Sequence, residues 1–198
     1  LTDCFSDFSP YTSGSDEVAV KSAINCGVCS ELFAFEGFGS EERPFLISNK
    51  NDLTRLSNLI NASDTHDAYR KRYYKQTTDI DLNNIEFSPI GTYSNTLNIY
   101  CSFNGVYDGG NNSITNLYIS QCEAQGGLFA LACDATIKNI SVFGEIDTHG
   151  EDDYGGVVGN INNSTVINCA FNGTVSGGGC VGGIIGRIWR SGTVESCY

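Results

Sequence analysis

The sequence predicts an all-β fold, a β-helix (β-solenoid) with a short N-terminal capping helix and a Cys-containing N-terminal segment. Three observations predict it. Related phrases open at Gly126 ("GGLFALACDATIKNISVFGEI"), Gly155 ("GGVVGNINNSTVINCAFNGTV") and Gly182 ("GGIIGRIWRSGTVESCY"), at spacings of 29 and then 27 residues. Recurrence at that period signals a solenoid. Within each phrase, runs such as "TIKNISVF" and "TVINCAF" alternate small or apolar with polar residues, the period of a strand buried on one face. Glycine, asparagine and serine punctuate the runs, β-branched residues fill them, and no unit holds a helix-length amphipathic stretch.

Taken in chain order, residues 1–35 carry no repeat register and hold Cys4, Cys26 and Cys29. They read as a disulfide-stapled cap or as an arm reaching a neighbour. Cys26 and Cys29 form a C-x-x-C without the strand-to-helix flanks of a redox motif. Zinc would need a second ligand pair, and His66 and His149 lack the spacing. A structural disulfide is the favoured reading.

Residues 36–100 read as a lead-in and capping segment. In "NDLTRLSNLINAS", Asn51 or Asp52 is the expected N-cap, and Leu53, Leu56, Leu59 and Ile60 share one helical face. A helix at the mouth of a solenoid covers apolar residues that would otherwise meet water. Asp79, Ile80, Asp81 and Leu82 then read as an edge-like first strand. Between helix and strand, "YRKRYYKQ" (69–76) gathers Arg70, Lys71, Arg72 and Lys75 on an acidic chain. It reads as an exposed loop or as a docking spot for an acidic partner, another copy included.

Residues 101–198 are the β-helix repeats. Ile114, Ile137, Val166 and Val194 are expected to stack in one column, and Leu117, Ile140, Cys169 and Cys197 in a second. Cys169 and Cys197 are therefore buried-thiol candidates. Cys101, Cys122, Cys133 and Cys180 lie near predicted turns and join Cys4, Cys26 and Cys29 as disulfide candidates. Nine cysteines is an odd number, so at least one is unpaired or bonds between chains. The coil ending at Tyr198 leaves open strand edges and an uncovered column. The chain is thus expected to continue or to be completed by another molecule, and open-ended heterologous contacts build filaments.

The bulk numbers bound the setting. A formal charge of -12, from 23 acidic and 11 basic residues, argues against nucleic acid and anionic membranes. No stretch approaches the roughly 18 to 20 apolar residues needed to span a bilayer. Methionine is absent, position 1 included, as expected after processing or for a piece of something longer. With the cysteines and the sequons at Asn61, Asn111, Asn139, Asn162, Asn163 and Asn172, this favours an extracellular or cell-surface protein. Those six asparagines are the glycosylation candidates.

Chemistry is sparse. "HGEDDYGG" offers Glu151, Asp152 and Asp153 as weak calcium candidates, beside the simpler reading of a solvated loop; "YDGGNN" lacks calcium-loop spacing. No cofactor is called for. β-Helix lyases and hydrolases need carboxylates clustered across coils. Here Lys138, Arg187 and Glu195 stand singly, and no serine–histidine–acid spacing or phosphate cradle appears. An enzyme is not expected. A carbohydrate-binding module would show a row of exposed aromatics, and Trp189 and the scattered tyrosines form none within the repeat units.

The glycine-pair phrases followed by Ile-x-Asn-Cys runs resemble the GLUG motif of bacterial surface proteins. "RPFLISNKNDLTRLSNLIN" (43–61), "YYKQTTDIDLNN" (73–84), "FSPIG" (87–91) and "FNGVYDGGNNSITNLYI" (103–119) resemble the segment found before such repeats. The likeness spans roughly residues 36 to 198 and implies a β-helix. It also implies a non-catalytic structural component of an extracellular fibre, filament or cell-surface stalk, adhesin-like. Its implied partners are other copies, further repeats of the same chain or surface glycans. A carbohydrate-binding surface module and a polysaccharide-active β-helix enzyme are the alternatives.

Overall fold

The computed structural model describes residues 35–198, apart from 63–65, 95–98, 123–124, 149 and 151–152. Short strands stack coil upon coil into a β-solenoid of about five turns. The lead-in comprises β1 (Phe45–Ile47), α1 (Lys50–Asn61), α2 (His66–Arg70), β2 (Tyr73–Gln76) and β3 (Ile80–Asp81). A hairpin, β4 (Thr92–Ser94) and β5 (Ile99–Cys101), precedes β6 (Val106–Ile119), β7 (Phe129–Cys133) and β8 (Thr136–Asp147). The last coils hold β9 (Asp153–Gly155), β10 (Val158–Ser176), β11 (Cys180–Gly182) and β12 (Ile185–Glu195).

The principal sheet runs β1-β2-β6-β8-β10-β12, with β3 on β6 and β7 on β10, and every pairing in it is parallel. The pair β9–β11 is also parallel, while β4–β5 is antiparallel and leaves the coil as an excursion. The first sheet strand is β1, not the 79–82 stretch, of which only Ile80 and Asp81 pair, against Ile114 and Thr115. Parallel register puts like positions one rung apart, so a side chain facing inward on one coil meets its counterpart on the next.

The first expected column exists with one member changed: Phe45, Tyr74, Tyr107, Ile137, Val166 and Val194 stand in register. Ile114 is not in it, for it pairs with Val142, which pairs with Phe171. The second column holds Ile140 and Cys169, but Leu117 lies beside Gly144 and Asn112 occupies the place assigned to it. The cause is extra chain in β6. Gly109 and Gly110 are inserted between Asp108 and Asn112, with Gly110 at φ 63°, and Asn116 adds a residue before Leu117. The close approach continues at Gly144 and Gly173, where a Cβ would overlap the carbonyl oxygens of Leu117 and Gly144.

Two kinds of core result. Toward the first coils it is aromatic: Phe35, Phe45, Tyr74, Phe103, Phe129 and Tyr107 form a chain of ring contacts with centroids 5.2 to 5.9 Å apart. The buried hydroxyls are served, Tyr74 donating to the Tyr69 carbonyl at 2.7 Å and Tyr107 to Gln76 Oε1 at 3.0 Å. Gln76 Nε2 in turn donates to the Thr78 and Ser113 carbonyls. Toward the last coils the core is aliphatic, with Ile137, Val158, Ile161 and Val166 fully buried.

The N-cap of helix α1 is Asn49 and not Asn51 or Asp52, so the helix begins two or three residues earlier than the sequence suggests. Asn49 accepts from Asp52 N at 3.1 Å, while Asp52 turns back to accept from Ser48 N and Oγ. This reciprocal pairing satisfies amides that would otherwise lack partners. Leu53, Leu56 and Ile60 are buried and Leu59 is half-buried. Ser57 Oγ donates to the Ser88 carbonyl at 2.6 Å, tying the helix to the stretch entering Ile90. Ile90, Phe129, Val158 and Ile185 form one rung column, and Ser57 and Asn61 of α1 bond the Ser88 and Pro89 carbonyls just before its first member.

Candidate functional site

The corners of the coils carry the most regular polar chemistry. Asn111, Asn139, Asn168 and Ser196 adopt left-handed backbones with φ of 51° to 61°. Asparagine tolerates that region better than other side-chain-bearing residues. Asn168 Nδ2 donates to Asn139 Oδ1 at 3.0 Å and to Asn111 Oδ1 at 3.3 Å, and Asn139 Nδ2 donates to Asp108 Oδ1 at 2.9 Å. A second corner repeats the device, with Asp134, Asn163 and Arg190 left-handed and Asn163 Nδ2 donating to Asp134. The sequons at Asn111, Asn139 and Asn163 therefore sit in amide ladders that fasten coil to coil. Asn61 donates to the Pro89 carbonyl from the end of α1; Asn162 is half-buried and Asn172 exposed on β10.

Three acids of the lead-in grip the coil that follows. Asp79 Oδ1 accepts from Ser113 N and Oγ, Asp81 Oδ1 from Asn116 Nδ2 and Asn83 N, and Glu86 from Ser120 and Gln121. The Ser113 amide and hydroxyl hold the Asp79 carboxyl below the usual aspartate range, and Asn116 with the Asn83 amide does the same for Asp81. Burial raises Asp108, but bonds from Asn139 and Gly110 and the Lys138 charge at 3.6 Å outweigh it and leave its pKa lowered. A carboxyl with a lowered folded-state pKa adds stability above its unfolded pKa and loses it as pH falls through the folded value. Acidification below about pH 4 is thus expected to loosen the seam between the lead-in and β6. Hydrogen exchange at the Ser113 amide reads this, and Asp79→Ala should flatten its acid limb.

The remaining candidates scatter. Asp153 is buried, accepts from Asn160 Nδ2 at 2.7 Å and lies 3.8 Å from Arg187, while Glu151 and Asp152 fall outside the described residues. No group of three or more His, Cys, Asp or Glu converges among the described residues. Cys4, Cys26 and Cys29 also lie outside them. Cys101, Cys133 and Cys180, expected as disulfide partners, stand as thiols. Cys101 Sγ accepts from the buried Arg70 at 2.8 Å, Cys133 Sγ lies 2.8 Å from Tyr100 Oη, Cys180 is exposed, and Cys122 is half-buried. Of the basic stretch 69–76, Tyr69, Arg70, Tyr74 and Gln76 are buried; Lys71, Arg72 and Lys75 face outward.

Cys169 is fully buried and Cys197 half-buried in the next coil. Burial, with Cys197 beside it, pushes the Cys169 thiol up to about 12. Since the thiolate is the reactive form, iodoacetamide should modify Cys180 at least about a hundredfold faster than Cys169 in the folded chain. Peptide mass mapping over time checks the order.

The last coil is open. Ile188 is 49% exposed and Val194 42%, although their partners one rung earlier, Ile161 and Val166, are fully buried. Tyr198 N still donates to the Cys169 carbonyl at 3.1 Å, so backbone pairing persists to the end of the coil.

No protein-family model matches the chain. The chain is 32% identical over 163 residues to halomucin of Haloquadratum walsbyi, covering 77% of this chain and 2% of that protein. In structure it is similar to a crystal structure from Bacteroides ovatus, of a protein provisionally named an immunoglobulin A1 protease. The TM-score is 0.56 at 20% identity, over 83% of this chain and 59% of that one. No helix among the described residues is long and apolar enough to cross a membrane. The chain is thus similar in sequence to a small part of one very long protein and shares the β-solenoid fold with a second.

Proposed function

We propose that the chain is a non-catalytic structural segment of an extracellular, cell-surface fibre or stalk, adhesin-like and built from GLUG-type repeats. The uninterrupted parallel register carries this reading. Phe45, Tyr74, Tyr107, Ile137, Val166 and Val194 stand one rung apart, and a stack of like coils of this kind is an architecture that gains length by repetition. The halomucin likeness supports a surface or secreted setting. It also favours further repeats of the same polypeptide over a second copy, since the matched stretch is 2% of that protein.

Mass spectrometry of the native polypeptide, with electron microscopy of purified material, tests the proposal. A polypeptide far larger than 21.3 kDa, or rods of stacked copies, is the expected outcome. A discrete monomer of that mass without rods would overturn the extended role. Turnover of peptide or polysaccharide substrates by the purified chain would overturn the non-catalytic one.

A further inference from the structure

One row on the outer surface differs in chemistry from the rest of the solenoid. Cys133, Asn162 and Trp189 occupy one register position on β7, β10 and β12. At one end of the row Tyr100, from the hairpin, places its hydroxyl 2.8 Å from Cys133 Sγ. It packs edge-on against Tyr93, with centroids 6.0 Å apart at 78°, and stays 53% exposed. At the other end Trp189 is 46% exposed, with the Arg187 guanidinium 4.3 Å from its ring centroid. Rungs about 4.8 Å apart put Trp189 roughly 10 Å from Cys133 along the axis.

The row thus displays one aromatic platform on a coil rung, Trp189 with the Arg187 guanidinium over one face, and a second, Tyr100, carried by the hairpin beside Cys133, with the Asn162 amide between them. Aromatic faces take up the C–H faces of pyranose rings, and amide and guanidinium groups bond their hydroxyls or carboxylates. A protein partner would favour a continuous apolar patch, which Asn162 and Arg187 interrupt. A formal charge of -12 opposes a nucleic acid. We infer that the Tyr100–Asn162–Trp189 row is a binding site for a pyranose-based glycan chain laid along the solenoid axis. The inference stands apart from the structural role proposed above, since it needs neither further repeats nor assembly.

Trp189 is the chain's one tryptophan, so its emission reports on the row directly. The full chain is titrated with chitohexaose, a neutral glycan, and with hexagalacturonate, an acidic one. A saturable emission change with either supports the site, and the sugar that binds tells whether stacking or Arg187 dominates. Tyr100→Ala should weaken binding about five- to tenfold without altering the far-ultraviolet circular dichroism. Trp189→Phe, followed by calorimetry, should weaken it as well. An unchanged emission with both sugars at about 10 mM, weaker than any specific site worth the name, would overturn the inference. So would an affinity that Tyr100→Ala leaves untouched.

Discussion

Phe129→Ala is expected to cost about 3 to 5 kcal/mol, the largest single effect in the core. Phe129 is fully buried, and its ring lies 5.2 Å from that of Phe103 and 5.3 Å from that of Tyr107. It also stands in the rung column between Ile90 and Val158. Truncation removes the apolar area of one ring and leaves two others facing a void that parallel backbones cannot collapse into, since rung spacing is fixed by hydrogen bonds. Urea unfolding measures the loss. Because each coil touches chiefly its neighbours, the damage should be local. Hydrogen exchange should rise most in 90–133 and least in β12. A cost below about 1 kcal/mol would show that these rings are not packed as described.

Asn139→Val comes second, at about 3 kcal/mol. Valine is held at φ 56°, a left-handed backbone that opposes a branched side chain. The change also removes the amide that donates to Asp108 at 2.9 Å and accepts from Asn168 at 3.0 Å. Asn139→Gly separates the two effects. Glycine accepts the backbone freely, so only the side-chain bonds are lost, at about 1 kcal/mol. Equal losses in the two variants would mean that backbone conformation plays no part at this corner. Both should raise the Asp108 pKa, since a bond that favours its charged form is gone.

Much of this architecture is legible in the residues. The spacing of the glycine pairs and the alternation within each phrase fix the coil period, and Ile137, Val166 and Val194 align as the pattern requires. Cys169 falls inside because it takes the place of an isoleucine on the preceding rung. The coil at 106–119 misleads for a concrete reason. "SITN" imitates "TIKN", yet the true counterpart of Ile137 is Tyr107, displaced by the Gly109–Gly110 insertion. A local likeness cannot reveal added chain when the substitute is aromatic and its neighbours are turn formers. The aromatic column from Phe45 to Tyr107 is hidden for a related reason, since amphipathic tyrosines read equally well as surface residues.

The outer row was also beyond sequence reach. Among the described residues of the repeats Trp189 has no aromatic partner, and its companion Tyr100 arrives from the β4–β5 hairpin. Conversely, the corner asparagines carry a double signal: N-x-S/T spacing marks them as sugar acceptors, while recurrence at the coil period marks them as ladder members. Only coordinates distinguish a free amide from one already donating to the neighbouring coil.

Parallel stacking has a mechanical consequence. The hydrogen bonds between β6, β8, β10 and β12 run along the stack axis, and each joins the chain to itself roughly one period later. Tension along that axis therefore loads the coils in series, like turns drawn off a spool, and the weakest end turn yields first. Each released turn frees about 28 residues, roughly 95 Å of slack, in exchange for about 4.8 Å of stacked height. A strand made of such turns would lengthen in steps under drag, dissipating the load before the covalent chain feels it.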